Sequence, residues 1–216
     1  MSFYHSIAGQ KIPRIEELSD GVFSIAMTLL VFDLKDPIGA AMKSDTEMMV
    51  ALAAILPKLL AYFLSFITLG IFWTSYSTQF NYIKKYDHNL NWLSLFFLLF
   101  VSILPFTTGI LSNHIHNKVS IGLYWFNIFA LGIMLLVHWR YAYKNHYMSL
   151  PDSEILRINM AINNRILIAQ SLYAGGAMLC FISTYLSIIA IILIQLNYAL
   201  SIFEGRKIKK LDKEIE

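Results

Sequence analysis

Six apolar runs, at roughly 15–34, 57–80, 92–112, 119–139, 162–182 and 185–203, set most of what this chain can fold into. A helix that crosses a bilayer needs about 20 mostly apolar residues. At 216 residues and 57% hydrophobic, the chain holds about 123 apolar side chains, enough for about six such helices and little else. Charged residues make up 14%, against the ~25% usual in soluble domains. A soluble fold of this length would expose too much apolar surface and too little charge. Disordered, collagen-like and coiled-coil classes are excluded by the same composition. The expectation is an all-α polytopic membrane protein, one six-helix domain over residues 1–216.

A net charge of +3 offers no basic face of the kind that binds nucleic acid. The single cysteine, Cys180, stands in an apolar run, which excludes an intrachain disulfide framework and a thiolate metal cluster. Met1 to Pro13 is polar, and no small-residue cleavage site follows the first apolar run, so no secretory signal is expected.

Lys and Arg give the orientation. With both termini on one side, that side holds Lys11, Arg14, Lys84, Lys85, Arg140, Lys144, Arg157, Arg165, Arg206, Lys207, Lys209, Lys210 and Lys213, a total of 13. The other side holds 3, namely Lys35, Lys43 and Lys118, with Lys58 inside the second run. Both termini are therefore expected in the cytoplasm, in a multi-pass protein of the cell membrane. Trp92 and Trp139 fall near the expected inner interface and Trp125 near the outer one, as amphipathic rings prefer. Pro57 and Pro105 sit at or inside spans, where proline bends a helix. The division near Ser183 and Thr184 is the weakest, and one long kinked helix is an alternative there.

The first run differs from the rest. It carries Ser19, Asp20, Ser24 and Thr28, and an ionisable residue inside a span usually faces protein or water. On a helical projection with Ile25 at zero, Phe32 falls at about −20°, Leu29 at about +40° and Thr28 at about −60°. Leu18, Gly21 and Val22 continue this stripe. Ser24 flanks it at about −100°, whereas Asp20 falls nearly opposite at about −140°. Such a stripe has two readings. It lines a symmetric pore, with apolar rings excluding water and hydroxyls replacing part of an ion's hydration shell. Or it is ordinary helix packing with small polar residues at the contact. Arg14 and Asp20 do not share a face, so Asp20 needs a partner from another helix.

At these residues the sequence resembles the transmembrane protein 175 family of endolysosomal potassium channels, in its bacterial single-repeat members. The family's Arg-x-x-x-Phe-Ser-Asp signature reads here Arg14-Ile-Glu-Glu-Leu18-Ser19-Asp20. Gly70-Ile-Phe-Trp73 in the second run and Trp92 to Thr107 in the third also match the family's pattern. The resemblance implies a homotetramer of six-helix subunits, with four first helices around a potassium-selective path. It implies selectivity without a Thr-Val-Gly-Tyr-Gly loop, which this chain lacks. Constriction and selectivity layers map onto Ile25, Thr28 and Leu29 or Phe32, with Ser24 as a further polar layer. A structural network would hold the motif through Arg14, Leu18, Ser19, Asp20, Trp73, Tyr76 and Ser94. Three of these depart from the family: Leu18 stands for a Phe, Tyr76 for a His and Ser94 for an Asn.

Other classes find less support. His114-x-His116 has no carboxylate or thiolate at ligand spacing. No phosphate loop, nucleophile elbow or carboxylate pair is present, so neither an enzyme nor a cofactor is expected. Gly175-Gly176 reads as close helix packing. A proton-coupled transporter using Asp20 is the main alternative, with Asp33 and Lys58 as further members of a relay. Transporters usually show internal repeats with broken helices, and no convincing repeat is visible. Asp33, Lys35 and Asp36 sit at the outer end, where snorkelling suffices. The basic stretch Arg206 to Lys213 suits anionic lipid or serves only topology.

Overall fold

Polar residues between the apolar runs fix where helices begin. Ser44 Oγ accepts the Glu47 N–H at 3.3 Å, Asp87 Oδ1 that of Leu90 at 2.8 Å, and Asn117 Oδ1 that of Val119 at 2.9 Å. Each cap satisfies a first-turn donor that has no partner within its helix.

The computed structural model describes residues 12–34 and 44–200. Among these, α1 spans Ile12–Leu29 and runs into a 3-10 turn, Leu30–Asp33. Then follow α2 (Asp45–Tyr82), α3 (His88–Asn113), α4 (Lys118–Lys144), α5 (Asp152–Met178), a 3-10 turn (Leu179–Phe181) and α6 (Thr184–Leu200). Lys11, Lys35, Asp36 and Lys43, the basic stretch 206–213 and the end of the last apolar run lie outside the described residues.

Two helices begin earlier than hydropathy predicts. α2 starts at Asp45 and not near 57, and α5 starts at Asp152 and not near 162. The α5 extension is too polar to register as an apolar run, whereas residues 48–56 of α2 are apolar and the helix runs on through Pro57. The helices α2, α3 and α4 are each long and apolar enough to cross a membrane. α1 and α5 carry charge in their first turns, and α6 is a shorter apolar helix. Pro57 and Pro105 both lie inside continuous helices. Near Ser183 the long-helix alternative fails: a 3-10 turn breaks the chain, and α6 folds back against α5.

The helices alternate in direction. Lys84 N–H donates to Tyr147 O at 2.7 Å beside an Ile83–Met148 bridge, so the α2–α3 and α4–α5 turns share one end. At the other end the His116 ring meets Tyr185 at 5.4 Å, placing the start of α6 beside the α3–α4 turn. Within the bundle, α1 packs on α2 and α3, α3 on α4, α4 on α5, and α6 on both α5 and α2. The core where α1, α2 and α3 meet is aromatic. Phe97 lies 6.0 Å from Phe23, 6.4 Å from Phe72 and 4.5 Å from Tyr76, centroid to centroid.

Trp139, expected at a lipid interface, is instead fully buried and donates its indole N–H to Asn159 Oδ1 at 3.0 Å. The early start of α5 explains this, because its polar first half covers α4 at that level. Trp92 is 49% exposed and donates to His88 Nε2.

The first helix and its anchor

α1 divides into two faces. Ile15, Ser19, Phe23 and Ala26, continued by Leu30, are buried against α2 and α3. Their spacing of three or four residues is that of one helix face. The stripe drawn from the projection lies on the other side. Leu18 is 46% exposed, Ile25 60%, Leu29 44% and Phe32 71%, and Gly21, Ser24 and Thr28 are exposed with them. Val22, at the stripe's edge, is half-buried. Packing within the chain therefore does not account for the stripe.

The hydroxyl on this face has a defined orientation. Thr28 Oγ1 donates to Ile25 O at 2.8 Å, so its proton turns back to the helix and its lone pairs stay outward. That is the arrangement a cation would meet favourably.

Asp20 finds its partner across the helix boundary, where Trp73 Nε1 of α2 donates to Asp20 Oδ1 at 2.8 Å. Ser19 is 3% exposed and donates to Ile15 O at 2.6 Å. Tyr76 lies one turn beyond Trp73, is 1% exposed, and its phenol oxygen has no hydrogen-bond partner. Ser94 bonds to Tyr86. Arg14 is exposed. Of the seven expected network members, α1 and α2 thus bring Ser19, Asp20, Trp73 and Tyr76 to one place. Leu18 falls on the exposed stripe, Ser94 belongs to a neighbouring cluster, and Arg14 stands apart.

That cluster escaped the sequence reading. His138 is fully buried, with Nδ1 2.7 Å from Gln79 Oε1 and Nε2 3.5 Å from the Tyr86 hydroxyl. Gln79 Nε2 in turn donates to Leu135 O at 3.0 Å. A second polar group ties the middle of the bundle. Thr108 Oγ1 donates to Ser65 Oγ at 2.7 Å, Ser65 donates to the Tyr124 hydroxyl at 3.2 Å, and Gln195 donates to Thr68. The available signal was Gln79, His138 and Gln195 standing inside apolar runs, where polar groups must find partners.

These features define a multi-pass helical membrane protein with an anchored first helix and an unpartnered stripe along it. The family model described as "Endosomal/lysosomal potassium channel TMEM175" matches residues 14–105, which spans α1, α2 and most of α3. A potassium channel of Streptomyces collinus is 29% identical over 86% of this chain and 90% of its own length. The crystal structure of a lysosomal potassium-selective channel TMEM175 homolog from Chamaesiphon minutus superposes with a TM-score of 0.73 at 27% identity, covering 88% of this chain and 96% of that one. The endosomal/lysosomal proton channel TMEM175 of Danio rerio is 36% identical over 47% of this chain, which spans only 21% of that longer protein. The chain is thus similar to the TMEM175 family, over α1 to α3 by the family model and over most of its length to bacterial potassium channels. It is a cation channel and not an enzyme.

Proposed function

We propose that this chain forms a passive, potassium-preferring channel in the cell membrane, as a homotetramer of six-span subunits with both termini in the cytoplasm. Four copies of α1 surround the axis. Ile25, Leu29 and Phe32 form apolar constrictions that gate by dewetting. Thr28 presents hydroxyl oxygens to the ion, and Ser24 adds a flanking polar layer. Ser19, Asp20, Trp73 and Tyr76 position α1 and do not touch the ion. The observation that carries this reading is the exposed stripe on α1, which packing inside the chain leaves without a partner. Relatives named as potassium channels over nearly their whole length support the choice of ion.

The test is a reversal-potential measurement on the full chain in planar bilayers with unequal potassium and sodium. The reversal potential should move toward the potassium equilibrium value with no proton gradient applied. A proton-coupled transporter using Asp20 instead predicts electrogenic flux that stops when the proton gradient is removed, and that result overturns the channel reading. The Trp73–Asp20 bond favours an anchoring role for Asp20 over a relay.

A further inference from the structure

α2 outruns its neighbours. Three hydrogen bonds set its register against them: Thr108 of α3 to Ser65, Gln195 of α6 to Thr68, and Trp73 to Asp20 of α1. Counted along each helix from these bonds, the far ends at Asn113, Thr184 and Asp33 fall level with about residues 57–60 of α2. α2 starts at Asp45, so residues 45–56 stand about 18 Å beyond all three ends. Burial agrees. None of residues 44–60 is buried, and the first buried side chain of the helix is Ala61.

The protruding part is apolar: Met48 to Leu56 reads Met-Met-Val-Ala-Leu-Ala-Ala-Ile-Leu. The bilayer that the other spans define stops short of it. α3 and α4, at 26 and 27 residues, are about 40 Å long and already exceed a ~30 Å hydrocarbon core. Its bonds to three neighbours keep α2 from tilting alone to bring the segment into lipid. In water, an apolar helix of about three turns without tertiary contacts is marginal. Met49, Leu52 and Leu56 are exposed, lie three and four residues apart, and share one face. Leu56 is nine residues from Ser65, so this face points away from the chain's own bundle. Lys58, the only charge between Met48 and Leu60, is nine residues from Met49 and stands on the other side.

We propose that the Met49–Leu52–Leu56 face of this extension is a contact between copies of the chain, seated on a neighbouring subunit above the end of α1. Three observations select a second copy over a foreign partner. The face carries no charge, so identical copies meet on it without like-charge repulsion. Its spacing of three and four residues is the seam along which like helices pack. The third is the tether. From Leu34, beside the end of α1, to Ser44, at the start of α2, is ten residues, which reach about 36 Å at most. Every copy gathered around α1 therefore holds its extension near the same mouth, at high effective concentration. Pro57 stands where α2 leaves the bundle, and proline bends a helix there toward a neighbour at little cost to the packed part below. The number of copies rests on the tetrameric reading proposed above, whereas the surface itself does not.

The test places the photo-reactive residue benzoylphenylalanine at position 52 or 56 of the full chain, purified and reconstituted in liposomes. Illumination should give covalent dimers, with peptides from two copies joined at the probe in mass spectrometry. Adducts with lipid only, or links that stay within one chain, overturn the proposal. Native mass of the same sample separates the two readings. Four chains without dimers at these positions sinks this contact and leaves the tetramer standing, whereas a mass of one chain sinks both. A second measurement removes the apolar face without touching the bundle. Leu52→Gln with Leu56→Gln should raise the dissociation constant of the oligomer about tenfold or more, as lost burial of two leucines predicts. The separated chains should keep their helical circular dichroism. Unchanged dissociation in this double variant counts against the contact as firmly as missing dimers.

Discussion

The Thr28 hydroxyl donates to the Ile25 carbonyl one turn below, which leaves only oxygen lone pairs facing away from the helix. A selectivity layer built this way works through small differences in how well the oxygens replace water around each ion. Thr28→Ala removes the oxygen and keeps a helix former. The potassium-over-sodium permeability ratio should fall about fivefold, the equivalent of ~1 kcal/mol, while the protein folds normally. Bilayer reversal potentials read this directly, and an unchanged ratio moves the filter elsewhere. Asp20→Ala should act differently. It removes the acceptor of the Trp73 indole, a charge-assisted bond whose value at an exposed carboxylate is about 1 kcal/mol. Yield of intact oligomer on size exclusion should drop, with the permeability ratio of the surviving channels preserved. A changed ratio in those channels would place Asp20 at the ion.

Helix packing shows what periodicity conveys and what it conceals. The two faces of α1 were legible from the sequence, because a 3.6-residue period assigns each residue an angle before any partner is known. The partners were not legible. Asp20 needed a mate, and several helices could have supplied it until Trp73 was placed beside it. The start of α5 was misjudged because hydropathy reports apolar content, and a polar helix that covers Trp139 looks like a loop on that scale. Glycine pairs were equally ambiguous. Gly176 does touch α6, where a Cβ would meet Ile191 at 3.4 Å, and Ser187 donates to its carbonyl at 2.8 Å. Its neighbour Gly175 faces open space, while Gly132, which no motif marked, is tight. A Cβ on Gly132 would stand 1.7 Å from Gln170 Nε2 and 2.2 Å from its Cδ, atoms that must move. Gly132→Ala should therefore destabilise the α4–α5 contact by ~1–3 kcal/mol. Lower thermal stability in detergent checks this. Recovery in the double variant with Gln170→Ala would identify the clash as the cause, and no loss in Gly132→Ala would show that Gln170 repositions freely.

For the molecule as a whole, the constraint is that the stripe along α1 stays bare in one copy. A single chain leaves Ile25 and Phe32 largely exposed beside polar Ser24 and Thr28, and lipid would meet those hydroxyls poorly. Closed rotational symmetry solves this by placing the same face of each copy around a shared axis. The opposite face of α1 is committed to its own bundle through Phe23 and Ala26. Disulfide geometry distinguishes the two faces, since cysteines cross-link only when their Cα atoms come within about 7 Å. In a Cys180→Ser background, Ile25→Cys and Phe32→Cys should form oxidised dimers, and bifunctional thiol reagents should extend the ladder to the tetramer. Phe23→Cys and Ala26→Cys, buried in the same helix, should not cross-link between copies. The mass of the unmodified complex in detergent should equal four chains. A ladder that ends at two, or cross-linking that favours the buried pair, would place the symmetry axis away from α1 and remove the physical basis for reading its stripe as the ion path.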